Sequence, residues 1–243
     1  MKLYHPKAKF IFFGLCFALS ALFLSCAGRV NGSLAADGSA QLTVSMSLEP
    51  RMTALIQRLS AAGGQSNSNL VLDGPAISRS MSNASFGNVI ASLRNTAPAA
   101  VEGTIHIFNI NNFLTTGNMG GFIFFEQRQG GGRCEIRVNI NNGPVILKNF
   151  SPEVAEYLGA LMAPLESGEE MKKSEYLSLV SSVYGQGVSN EIAGSVIRAS
   201  IEFPGSITNV KGGAFSGRRA EFNIPLLDLL VLETPLSYEV TWN

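Results

Sequence analysis

Cysteine, histidine and charge are all scarce in this chain of 243 residues. It holds three cysteines, two histidines and one tryptophan, and 15% of its residues are charged. Each shortage closes off a class of protein. Cys16 and Cys26 belong to the N-terminal segment, so Cys134 stands alone in the remainder and no disulfide framework can form there. His106 is likewise alone. Metal sites usually draw three or four ligands from His, Cys and carboxylates, so no metal or cofactor is expected. A Ser-His-Asp triad would need His106 as its base, and no serine sits in a nucleophile-elbow context. The 18 Lys and Arg are matched by 18 Asp and Glu. No broad basic field therefore exists to attract nucleic acid. No apolar run reaches the roughly 20 residues of a spanning helix.

What is present starts at the N-terminus. Lys2, Lys7 and Lys9 precede an apolar run from Phe10 to Leu24, and Ser25-Cys26 closes it. Charge, then apolar run, then small residue is the order of a secretory signal. A cysteine directly after the small residue has the form of a lipobox, where a diacylglyceryl group is attached and the peptide is cut. The expectation is a signal peptide over 1–25 and a single exported α+β domain over 26–243, with Cys26 lipidated. The membrane is then a partner through the lipid anchor, at the exported side of the cell membrane or outer membrane. Phe23 stands where leucine is common, and relaxed lipoboxes of this kind resemble those of spirochaetes. The simpler alternatives are an ordinary secreted protein cut near Ser25 or Gly28, and an uncleaved anchor. Removing the signal takes away three lysines and no acid, which leaves 15 basic against 18 acidic side chains, a net charge of −3.

Period-two alternation marks strands buried on one face. Leu42, Val44, Met46 and Leu48 alternate with polar residues, and Asp37-Gly38 before them predicts a hairpin over 29–48. Ile105 and Ile107 mark a middle strand. Phe122, Phe124 and Phe125 are followed by Gly130-Gly131-Gly132, a wide turn, and then Cys134, Ile136 and Val138, a second hairpin. Ile197 to Phe203, Ala220 to Ile224 and Leu236 to Trp242 alternate near the C-terminus. Half-buried strands of this kind imply antiparallel pairing.

Helical spacing appears at Met52, Leu55, Ile56 and Leu59; at Val89, Ile90 and Leu93; at Val154 to Met162 after Ser151-Pro152; and at Leu177, Val180, Val183 and Tyr184 before Gly185. Residues 63–69, rich in Gly, Ser and Asn, read as a loop. The order predicts an α+β fold: an antiparallel β-sheet with amphipathic helices packed on one face.

Several chemical readings fail on context. The three glycines lack the Lys-Ser/Thr and the helix of a phosphate loop. Cys134 alternates with Ile136 and reads as a small buried hydrophobe. Asn109, Asn111, Asn112 and Asn118 suit turn conformations better than a sugar or cation site. Two segments are unusually apolar, Phe122 to Phe125 and Leu226 to Leu232. They fill a core, or part of them lines an apolar site.

Phe203-Pro204-Gly205, Gly212-Gly213, Ile224-Pro225-Leu226-Leu227 and the closing Tyr238-Glu239-Val240-Thr241-Trp242, behind a lipoprotein signal, resemble the LppM-like bacterial lipoproteins. The resemblance covers the signal and residues 196–242. It implies an α+β domain and binding of a lipid or glycolipid. It carries no catalytic residues. LppM-like proteins often add a C-terminal membrane helix, and none follows Trp242 in this sequence.

Two functions remain in view. One is a non-enzymatic, membrane-tethered domain that binds an envelope lipid or other apolar ligand, with Phe122, Phe124, Leu177, Val180 and Tyr184 as its lining. The other is a structural or protein-interaction lipoprotein of the cell envelope with a solid core.

Overall fold

Eleven strands and six helices build the described part of the chain, which in this computed structural model comprises residues 27–62, 70–84, 87–116, 121–143, 161 and 169–243. The signal peptide, Cys26, the 63–69 loop, Asn118 and nearly all of the helix expected after Ser151 lie outside these residues.

β1 (Ala27–Leu34) and β2 (Ala40–Ser47) form the expected first hairpin, with Val30 opposite Val44. Asp37 closes its turn by accepting from the Ser39 amide at 2.9 Å, and Gly38 takes φ +81° beside it. β3 (Val89–Ala97) and β4 (Ala100–Ile107) add a second hairpin on the β2 side. On the other side lie β7 (Val196–Glu202), β10 (Arg219–Pro225) and β9 (Ala214–Ser216). The order across this first sheet is β3-β4-β2-β1-β7-β10-β9. A second sheet runs β5-β6-β11-β8, from β5 (Ile123–Arg128), β6 (Gly131–Val138), β11 (Leu236–Trp242) and β8 (Ile207–Lys211).

The structure corrects three sequence expectations. Val89-Ile90-Leu93 is not a helix but β3, where Val89 and Leu93 are buried and Ile90 is exposed. A three-residue match to helical spacing is too short to outweigh pairing with β4 along the strand. Pairing is not antiparallel throughout: β1 and β7 run parallel, Ala27 beside Val196. These strands are distant in sequence, so a crossover connection is open to them. There are also two sheets rather than one. Phe222 of β10 meets Tyr238 of β11 edge to face at 5.6 Å, and Phe203 after β7 meets Trp242 at 5.0 Å, so aromatic rings join them across a shared core.

The first sheet is two-faced. Val30, Val44, Met46, Leu93, Val101, Ile105 and Ile197 are buried on one side. Arg29, Asn31, Thr43, Ser45, Thr104 and Arg198 are exposed on the other. Two-residue periodicity in the sequence has therefore become one dry and one wet face.

α1 (Pro50–Ala62) starts on proline, which has no amide to satisfy, and the Glu191 carboxylate accepts from the Arg51 and Met52 amides at 3.1 and 2.8 Å. α2 (Gly74–Ala84) is capped by Asp73 and buries Ile77 and Met81. It lies along the open edge of β3. Ser78 Oγ accepts from the Leu93 amide at 2.7 Å and Ser82 Oγ from the Ala91 amide at 3.3 Å. α3 (Ile110–Thr116) is capped by Asn109, whose Oδ1 accepts from the Asn112 amide, a turn role for that asparagine. α4 (Lys173–Tyr184), α5 (Gln186–Gly194) and α6 (Leu226–Val231) complete the set and gather with α1. The apolar run Leu226–Leu232 thus turns out to be α6 and its cap, with Leu226, Leu229, Leu230, Val231 and Leu232 all in the core.

Candidate functional site

The five expected lining residues fall on two elements. Phe122 and Phe124 flank the start of β5; Leu177, Val180 and Tyr184 belong to α4. Phe122 is buried, as is Val180, which is 2% exposed, and both pack in the core. Phe124 is 48% exposed on the outer face of the second sheet. The Arg133 guanidinium sits 5.9 Å from the centre of its ring. Opposite Phe124 on β6, Glu135 is buried and accepts from Arg133 at 2.8 Å and from Arg137; Arg133 also bonds Glu239 at 2.8 Å. Charges on alternate strand positions have made that face an ion network.

Leu177 and Tyr184 are half-buried. Leu177 lines a hollow between α4 and α5 with Ser178, Ser181, Ser182, Gln186, Ser189, Asn190 and Ala193. Gly185 makes this hairpin possible: its φ of +93° ends α4 and opens α5 at once. In the sequence Gly185 predicts a helix end with no helix to follow, yet α5 begins at the next residue. Its signal was Val188 and Ile192, four apart and both buried. A neighbouring hollow on α4 is lined by Ser174, Glu175, Ser178, Leu179 and Ser182. Leu179 in this lining and Val183, four residues on along the same helix, are 47% and 61% exposed. A third hollow lies at the β5–β6 turn and takes in none of the five.

The serines here are not primed for attack. Ser178 Oγ donates to the Ser174 carbonyl and Ser182 Oγ to that of Leu179, at 2.9 and 2.8 Å. Their protons are held by the helix, so these oxygens face outward as acceptors. Gln186 Nε2 donates to Asn190 Oδ1 at 2.8 Å, and Ser181 Oγ donates to Gln186 Oε1 at 3.0 Å. Hydroxyls and amides beside two exposed aliphatic side chains form an amphiphilic surface. It offers hydrogen bonds to a polar group and apolar contact to a chain.

Burial shapes two further groups. The Tyr176 phenol donates to the Leu161 carbonyl at 2.7 Å, and burial pushes its pKa up. Burial likewise pushes the Cys134 thiol up to about 12. His106 stacks edge-on against Phe108 at 4.5 Å. Among the described residues no three His, Cys, Asp or Glu are placed to hold a metal, and no helix is long and apolar enough to cross a membrane.

No family model matches the sequence, and no curated protein does. Among solved structures, the chain is similar to the NMR structure of the folded domain of the Mycobacterium tuberculosis LppM protein. That likeness has a TM-score of 0.40 and 8% sequence identity, over 89% of this chain and 88% of that one. A likeness of that size lends no site from one chain to the other.

Proposed function

We propose that this is a non-enzymatic lipoprotein of the cell envelope, held at a membrane by acyl chains on Cys26, whose domain takes up an amphiphilic lipid or similar apolar ligand. The observation that supports the tether is the junction of motif and fold: the lipobox ends at Cys26 and β1 begins at Ala27. Everything after the signal belongs to the exported part. The ligand reading is supported by the α4–α5 surface, where Leu177 and Leu179 line hollows among serine and amide groups and Val183 is exposed on the same helix. This lining replaces Phe122, Phe124 and Val180 with exposed aliphatic residues of α4. Protein interaction through a sheet edge is the second reading. It draws on β9, which ends the first sheet, is exposed at all three positions and carries Phe215 at 47% exposure.

Intact-mass measurement of the processed chain tests both parts. In organic solvent the acyl mass on the N-terminal cysteine should persist, and Cys26→Ala should abolish it. Under native conditions, lipid added to the protein should raise the mass reversibly, and Leu179→Ser with Val183→Ser should lower the bound fraction severalfold. A bare native mass with every lipid tried would leave the sheet-edge reading in front.

A further inference from the structure

The anchor residue adjoins the fold with no spacer. Ala27 is exposed, is the first residue of β1, and is one peptide unit, about 3.8 Å, from the Cα of Cys26. β1 is also an inner strand of the seven-stranded sheet, held by β2 on one side and β7 on the other. Acyl chains on Cys26 would therefore pull on the middle of a rigid sheet end, not on a loose tail.

Register shows what shares that end. Ala27 lies beside Ser47 and Val196; Ser47 lies beside Ala100, and Val196 beside Pro225. Strands sit about 5 Å apart, so Ala100 and Pro225 are roughly 10 Å to either side. The turn Ala97-Pro98-Ala99 projects past this row, with Ala97 and Pro98 exposed. Pro98 accepts at its carbonyl from the Val71 amide at 2.8 Å, which seats Leu70 and Val71 beside it. Leu70 is 38% exposed. Ala193 and Gly194, exposed at the end of α5 just before Val196, are uncharged as well. Exposed charges lie at both ends of the sheet, Glu49, Arg51 and Asp73 near the anchor and Asp37, Arg218 and Arg219 at the far turns, where Phe108 is exposed as well.

We infer that the β3–β4 turn end of the first sheet, with Ala97, Pro98 and Leu70 at its tip, lies against the lipid headgroups, and that β1 runs outward from the bilayer toward the β1–β2 turn. The inference rests on lipidation of Cys26. The anchor beside Ala27 sets which end meets the membrane, and an uncharged turn of small residues at its tip loses little hydration at the headgroup boundary. Eight residues of strand place the β1–β2 turn roughly 25 Å further out. Glu49 and Arg51 at the near end are exposed charges within reach of headgroups.

The test uses the full, processed and acylated chain in phosphatidylcholine vesicles that carry a doxyl quencher near the headgroup. Pro98→Cys and, separately, Glu49→Cys and Ala36→Cys are made in a Cys134→Ala background and labelled with an environment-sensitive fluorophore. The label at 98, and that at 49, should shift to shorter wavelength on reconstitution and be quenched severalfold more than the label at 36. Equal quenching at the two ends, or stronger quenching at 36, on protein whose mass shows the acyl group would overturn the orientation and leave the anchor standing. A label at 98 already shielded without vesicles would assign the turn to a protein contact and overturn it too. Protein without the acyl mass would remove the anchor and this orientation together.

Discussion

Tyr176 illustrates how one residue ties the fold to solution behaviour. Its ring is among the most buried side chains and its hydroxyl satisfies the Leu161 carbonyl. Replacement by Phe keeps the ring but leaves that carbonyl without this partner, at a cost of about 1–2 kcal/mol. For a domain this size each kcal/mol moves the melting temperature by about 2–4 °C, which calorimetry would read. The phenol also sets a pH window. Its folded pKa is raised above the ordinary 10.0. The unfolded chain therefore gives up the proton first, and the stability contributed below pH 10 is lost as pH rises past it. Wild type should lose stability above that point more steeply than Tyr176→Phe, as followed by denaturant midpoints at pH 8 and above. At the same scale, Gly132, in the sequence part of a three-glycine turn, is the second residue of β6. A Cβ there would sit 2.3 Å from Trp242 Cζ2, so only glycine admits the indole. Nothing local in three consecutive glycines announces a tryptophan 110 positions later.

Among the elements, α2 on the edge of β3 carries the clearest consequence. An edge strand with open amides invites pairing with another chain, and proteins cover such edges. Here two serines four apart, Ser78 and Ser82, accept from the Leu93 and Ala91 amides, and Asn95 Oδ1 accepts from the Gly74 amide at 3.0 Å. Ser78→Ala should leave the Leu93 amide unpaired, destabilise the protein by about 1–3 kcal/mol and speed hydrogen exchange at Leu93. Unchanged protection at that amide would show that the helix covers the edge without the hydroxyl. Helices α1 and α4 were legible from their apolar spacing, and the three C-terminal strands from their alternation. α2 was not: its Asp73-Gly74-Pro75 start is a cap signal, but Ser78 and Ser82 look like surface residues until β3 lies beside them. α5 was hidden because Gly185 ends one helix and starts another.

At the scale of the molecule, two sheets share one core. Phe222 with Tyr238 and Phe203 with Trp242 join them, and the Asn243 amide donates to the Ser206 carbonyl at 3.1 Å. Trp242 is the only tryptophan, so its fluorescence reports the second sheet and its junction with Phe203, after β7 of the first. Both sheets should then unfold together. The fluorescence midpoint in guanidinium chloride should coincide with the far-ultraviolet circular dichroism midpoint. Two separated midpoints would divide residues 26–243 into independent units.

Most strands could be read from the chain because alternation along a strand depends on neighbours within a few residues, and the export signal and lipidation expected at Cys26 rest on equally local runs. Which strands pair, and what the pairs enclose, depends on residues far apart. That is why the parallel match of β1 with β7, the second sheet, the outward turn of Phe124 against Arg133 and the α4–α5 hollow were decided only by the tertiary structure. The side of a strand or helix that meets solvent is set by what packs on its other side, and local periodicity names two faces without saying which is covered.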